Sequence, residues 1–219
     1  MSDFWGAVQT TAALFDKVSK LNCIKPYILV GGTALSLQLG ARHSEDLDFM
    51  TWRKSKNEKR EVDWPGIKDE LSLIGNIERY EILDLSHVEF YIEGVKLSFY
   101  ASPNYSPVDE IIHILNNIRV ADKKSIGAMK MEVMLRRSKF RDYYDIYTIL
   151  QTGVDINEMI TKALKYSGHK LKSKNLIAML TRSERFIPDS EFKALQPIYD
   201  VSPKDIERFI IEKIVESSL

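Results

Sequence analysis

The sequence predicts an α+β fold: a mixed sheet with helices packed on it over residues 1–120, followed by an all-helical domain over 121–219. Three observations carry this. Short apolar or alternating runs bounded by Gly and Pro crowd the first half. From Lys123 onward those runs almost vanish and helical periodicity takes over. Of the 219 residues, 44% are hydrophobic, which is core enough for one large domain or two small ones.

Along the first half, residues 4–21 place Phe4, Val8, Ala12, Leu14, Phe15, Val18 and Leu21 at helical spacing. Pro26 stops that helix, and YILV at 27–30 reads as a buried strand. Gly31-Gly32 make a turn. Thr33 stands where an N-cap would, opening a helix over ALSLQL that Gly40 ends. DLDFMTW at 46–52 alternates as a second strand, and RKSKNEKRE at 53–61 reads as a solvated loop. PGIKDELSLIGNI at 65–77 is amphipathic behind a Pro. ERYEILDL, HVEFYIE and VKLSFYA are strands, the last two joined by a hairpin at Glu93-Gly94. Pro103 and Pro107 break the pattern. SIGAMKMEVMLRR, KFRDYYDIYTILQ, INEMITKALKY, KSKNLIAMLTR and PKDIERFIIEKIVESS then read as five helices, without repeats.

Composition removes several functions. Lys+Arg and Asp+Glu both number 31, so a global basic field for nucleic acid is absent, and RNA binding would need a local patch such as KYSGHKLKSK at 165–174. A lone Cys23 excludes an intramolecular disulfide and reads as a small buried core residue. MSDFWGAVQT lacks a signal-peptide pattern, and no stretch reaches the apolar length of a membrane span. The expectation is a cytoplasmic protein without a membrane partner. Four scattered histidines, His43 among them, offer no zinc spacing.

The chemistry concentrates in GGTALSLQLGARHSEDLDF. A strand, a glycine turn and a helix N-terminus form an anion site, because backbone N–H groups and the helix dipole favour negative charge there. Gly31, Gly32 and Thr33 are the candidate phosphate contacts. Asp46 and Asp48 lie at i and i+2, so a strand projects both carboxylates from one face while Leu47 faces the core. Like charges so placed call for a cation, and Mg²⁺ takes carboxylate and phosphate oxygens together. The competing reading is a solvated edge strand.

The pattern G-G-T-A-L…R-x-S-x-D-L-D-F resembles the first motif of the nucleotidyltransferase superfamily, in the variant of AbiEii/AbiGii-type toxins of toxin–antitoxin and phage-defence systems. Gly31, Gly32, Thr33, Arg42, Ser44, Asp46 and Asp48 fall on it. A second motif matches Lys130, Arg141, Asp142 and Asp145 in AMKMEVMLRRSKFRDYYDIYTIL. The resemblance implies a nucleotidyltransferase fold, a nucleoside triphosphate (NTP) substrate, Mg²⁺ on Asp46 and Asp48, and nucleotide-binding roles for Arg42, Ser44 and Lys130. It also implies a catalytic Lys130–Asp145 pair, an RNA acceptor with the acceptor end of tRNA foremost, and a cognate antitoxin. Two departures stand out. Where many relatives carry a third carboxylate, VKLSFYA has Lys96 and Ser98, with Glu89 and Glu93 nearby as substitutes. Ala41 stands where relatives commonly have His. The alternatives are transfer to a protein or small molecule, and a catalytically silent module that kept the fold.

Spacing alone leaves the helical cluster open. Lys130, Met134 and Arg137 share one helix side, and Asp142 and Asp145 another, as in an ordinary surface ion-pair set. Tyr143, Tyr144 and Tyr147 read as core.

Overall fold

The structure, a computed structural model, describes residues 6–58, 60–168 and 170–217. Phe4 of the expected first helix, Lys59 of the charged loop, His169 of the basic stretch and Ser218 lie outside the described residues. The chain forms two compact units, Met1–Asp122 and Lys123–Leu219.

In the first unit, helix α1 (Gln9–Ser19) leads to strand β1 (Ile28–Val30), helix α2 (Gly31–Leu39) and strand β2 (Leu47–Trp52). Helix α3 (Trp64–Ser72) precedes β3 (Ile77–Asp84), β4 (His87–Ile92), β5 (Val95–Ser102), β6 (Ile111–Leu115) and β7 (Ile118–Ala121). The seven strands form one mixed sheet in the order β3-β4-β5-β2-β1-β7-β6. β2 pairs parallel with β5 and β1 parallel with β7, while the other neighbours are antiparallel.

One sheet face is core. Leu47, Phe49, Val88, Phe90, Leu97 and Phe99 are all within 2% of full burial. Phe49 stacks on Phe99 with centroids 5.2 Å apart, and Tyr27 meets Phe99 edge-on at 5.3 Å. Leu14, Phe15 and Val18 of α1 and Ile67 and Leu71 of α3 are buried too, each burial stabilising by about 2 kcal/mol. Because side chains alternate, this packing fixes the register and pushes the even residues of β2 and β5, with the odd ones of β4, to the other face.

Several expectations need correction. α2 begins at Gly31 with Val30 at the N-cap, so Thr33 lies inside the first turn instead of capping it. Gly31 itself supplies the turn, at φ +72°. α3 ends at Ser72, leaving the rest of 65–77 to a turn and the start of β3. The unassigned stretch after Pro107 holds the β6–β7 hairpin, turned at Asn116-Asn117 with Asn116 at φ +47°. Its strands are short and preceded by two prolines, but IIHIL and IRVA around two asparagines carry a hairpin pattern. The β4–β5 hairpin turns at Glu93-Gly94, both at positive φ, as expected.

The second unit contains α4 (Lys123–Val133), α5 (Phe140–Gln151), α6 (Ile156–Tyr166), α7 (Ser173–Leu180) and α8 (Pro203–Glu216), with two short 3₁₀ turns before α8. α4 packs on α6 at Gly127, where a Cβ would come within 2.5 Å of Met159 Cε. Tyr143 and Tyr144 are fully buried, Tyr143 stacking on Phe186 at 3.5 Å, so the tyrosine run is core. Ser202 and Asp205 form a reciprocal capping box at the start of α8.

Candidate active site

The polar face of the sheet gathers the first set of candidates. Leu47 points into the core at 0% exposure, so Asp46 and Asp48 emerge together on the opposite face. The N-terminus of α2 lies beside them. A Cβ on Gly31 would stand 2.6 Å from Asp48 Oδ2, so only glycine leaves that carboxylate room. A Cβ on Gly32 would meet Arg42 Nη2 at 2.7 Å and Ser44 Oγ at 2.8 Å. Both glycines are thus required by the side chains packed against them, independently of any ligand. Arg42 is buried and donates from Nη1 to the His43 carbonyl at 2.7 Å; Ser44 is buried as well. Thr33 is fully buried, and its hydroxyl donates to the Asp46 carbonyl. That bond ties the first turn of α2 to the backbone between the two acids.

The register extends this face across the sheet. Ser98 on β5 lies directly opposite Asp48, and Glu89 on β4 directly opposite Ser98. Lys96 precedes Leu97, the partner of Leu47, so it stands level with Asp46. Its Nζ is 3.6 Å from Asp46 Oδ2 and 3.7 Å from Glu89 Oε1. Partial burial works to lower the Lys96 pKa; Asp46, Asp48 and Glu89 outweigh it and hold the ammonium above the ordinary lysine value. Glu89 accepts a hydrogen bond from Tyr91 Oη at 3.1 Å, and His87 Nε2 lies 3.7 Å from it and 3.2 Å from Ser98 Oγ. Glu93, the other substitute weighed from sequence, sits in the hairpin turn and accepts from the Asn76 backbone instead.

These residues suit a hard divalent cation. Asp46 and Asp48 supply only oxygen donors, Gly31 keeps space at Asp48, and an ammonium has already been drawn to Asp46. Among the described residues no group of three His, Cys, Asp or Glu side chains converges on one point, so a metal would complete its shell with substrate oxygens or water. A cleft of about 320 Å³ lined by Cys23, Tyr27, Thr51, Arg60 and Asp63 belongs to the other sheet face, since Thr51 alternates with the acids. Cys23 is half-buried there, not a sealed core residue; burial first and Glu70 second push its thiol up to about 12, which leaves it protonated and unreactive at neutral pH. Arg60 folds back onto Glu58 and Thr51, so the charged loop is partly anchored.

The second unit assembles the other candidates by itself. Lys130 on α4 places Nζ 2.7 Å from Asp145 Oδ2 and 3.0 Å from Asp142 Oδ1, both on α5. Arg137 Nε reaches Asp142 Oδ2 at 3.2 Å. Lys130, Asp142 and Asp145 are 7%, 0% and 1% exposed, so the surface ion-pair reading fails. The buried Lys130 and the half-exposed Arg137 balance the two buried carboxylates. Asp142 is the member that spacing undervalued: one helical step from the core tyrosines, it caps Lys130 and Arg137 together. Arg141, on the same motif, pairs elsewhere, bidentate to Asp189 with Nη2 at 3.0 Å from Oδ1. Nothing in the local sequence around Asp189 announces that partner.

A mixed sheet that sets an Asp-x-Asp pair beside a glycine-led helix start, followed by a helical unit, defines a nucleotidyltransferase fold. The family profile described as "Nucleotidyl transferase AbiEii toxin, Type IV TA system" matches residues 12–212. The chain belongs to that family of nucleotidyltransferase enzymes, toxins of type IV toxin–antitoxin systems. It is 25% identical over 210 residues to the uncharacterized protein aq_aa25 of Aquifex aeolicus, covering 92% of each chain. A crystal structure of a candidate nucleotidyltransferase from H. pylori shares the fold at a TM-score of 0.52, with 18% identity over 95% of each chain. JHP933 from Helicobacter pylori superposes at a TM-score of 0.49, with 19% identity over 97% of each chain. Among the described residues no helix is long and apolar enough to cross a membrane.

Proposed function

We propose that this toxin transfers a nucleotide from an NTP to RNA, with the acceptor end of tRNA as the foremost acceptor, and that Asp46 and Asp48 hold the Mg²⁺ it needs. The observation carrying this is the pair of carboxylates flanking the buried Leu47 at the start of β2, next to the N-terminus of α2. Mg²⁺ bound there supplies Lewis-acid polarisation and offsets charge on the triphosphate.

The chain's own residues supply the rest. The backbone N–H groups from Gly31 onward point from a helix start, where phosphate oxygens are favoured. Thr33 acts one step back, holding the Asp46 carbonyl so that the carboxylate keeps its aim. Arg42 and Ser44, packed against Gly32, stiffen the same turn and set its positive charge. Lys130 of the helical unit takes the role of neutralising charge on the triphosphate, with Asp142 and Asp145 fixing its ammonium in one place. A fixed charge costs no reorganisation when the leaving pyrophosphate gains negative charge. The antitoxin implied by the family acts on this activity.

The test is incubation with each radiolabelled NTP, Mg²⁺ and total RNA, followed by separation of labelled species. A labelled band of tRNA size supports the reading. Label on protein, on a small molecule, or nowhere with any of the NTPs contradicts it.

A further inference from the structure

Lys96 and Ser98 stand on β5, the strand on which the family resemblance places a third acid. The structure places three carboxylates on this face nonetheless. Asp48 comes from β2 and Asp46 from the position just before it, while Glu89 comes from β4, one strand beyond Ser98 in direct register. Three like charges on one sheet face repel unless cations lie among them. One cation is built in. Lys96 Nζ is within 4 Å of both Asp46 and Glu89, each at the range of a loose ion pair. Glu89 is not free to swing toward the aspartates, because Tyr91 donates to its other oxygen at 3.1 Å. Its side chain is only 16% exposed, against 44% for Asp46.

We infer that Lys96 takes the place of one divalent ion on this face, so that the Asp46–Asp48 pair binds a single metal. The inference rests on the metal-holding role proposed for those two aspartates. A compact ammonium carries one positive charge on a tether that keeps it between the two strands, while a hydrated Mg²⁺ would have to be recruited there from solution. Lys96 is thus a positioning residue. It engages Asp46 Oδ2 and Glu89 Oε1 together, and the one ion that meets the triphosphate binds at the Asp46–Asp48 pair.

The experiment is a titration with Mn²⁺ alone, free ion read by electron paramagnetic resonance, on the full chain without nucleotide. Wild type should bind one Mn²⁺. Lys96→Met should bind two, and Lys96→Met with Glu89→Gln should return to one; Lys96→Arg should stay at one. Circular dichroism of each variant checks the fold. Two ions on wild type, or one on a folded Lys96→Met, overturns the inference and leaves the metal role of the aspartates standing. No Mn²⁺ on wild type, or the same Mn²⁺ bound after Asp48→Asn, removes that role and the inference with it.

Discussion

Two lysines sit among carboxylates in this molecule, and they are held in opposite ways. Lys96 lies on a half-open sheet face, 3.6 and 3.7 Å from its acids. Lys130 lies in the helical unit, 2.7 and 3.0 Å from acids that are themselves almost fully buried. Water reaches the first group, so its contacts are weak and its cations exchangeable. Lys130 and its two acids have given up nearly all hydration, so each charge depends on the others staying put. A metal site must be able to admit an ion. A fixed positive charge must not move. The same residue types serve both ends because burial sets the strength of their interaction.

The largest expected effect separates these two groups at once. Lys130→Met takes a shared cation away from two buried carboxylates, Asp142 and Asp145, and should cost about 3–5 kcal/mol in a urea melt. Lys96→Met should change the melt by less than about 1 kcal/mol. Equal losses would dissolve the contrast. Next, Asp46→Asn or Asp48→Asn should lower transfer at least about a hundredfold while leaving the melt unchanged or slightly raised, since each removes repulsion along with a metal ligand. A melt that falls with activity would make the sheet group structural as well.

Gly31→Ala is expected to cost about 1–2 kcal/mol, because Ala resists φ +72° and its Cβ presses on Asp48. Mn²⁺ affinity should drop in the same variant if that carboxylate is displaced. A pH series sharpens the helical side. The hydrogen bond from Arg141 holds the Asp189 carboxyl below the ordinary aspartate value. Its folded value is therefore below its unfolded one, so its stabilisation is present above the unfolded value and drains as pH falls through the folded value. Asp189→Asn should cost about 1 kcal/mol near neutral pH, and the gap to wild type should close in acid. A gap constant with pH would show that packing, not charge, is what Asp189 provides. The smallest effect belongs to Arg136→Ala, which takes an exposed guanidinium off the largely buried Glu132 one turn earlier and should shift the melt by about 0.5 kcal/mol.

Much of this protein was determined by sequence alone. Hydrophobic period separated strands from helices, the glycine and proline signals bounded them, and Leu47 between two acids fixed which way Asp46 and Asp48 face. These are local properties, set by the alternation of a strand and the turn of a helix. Residues 116–117 show the limit on the fold side: a hairpin of two short strands is stable only because β7 finds β1 beside it. The site shows the limit more sharply. Glu89 and Lys96 share a face with Asp46 through two strand registers, and Asp142 reaches Lys130 across two helices. Neither fact is written in any window of the chain. Tertiary structure also decided that Thr33 supports Asp46 instead of capping a helix, because its fully buried hydroxyl needed a partner and the Asp46 carbonyl lay within reach.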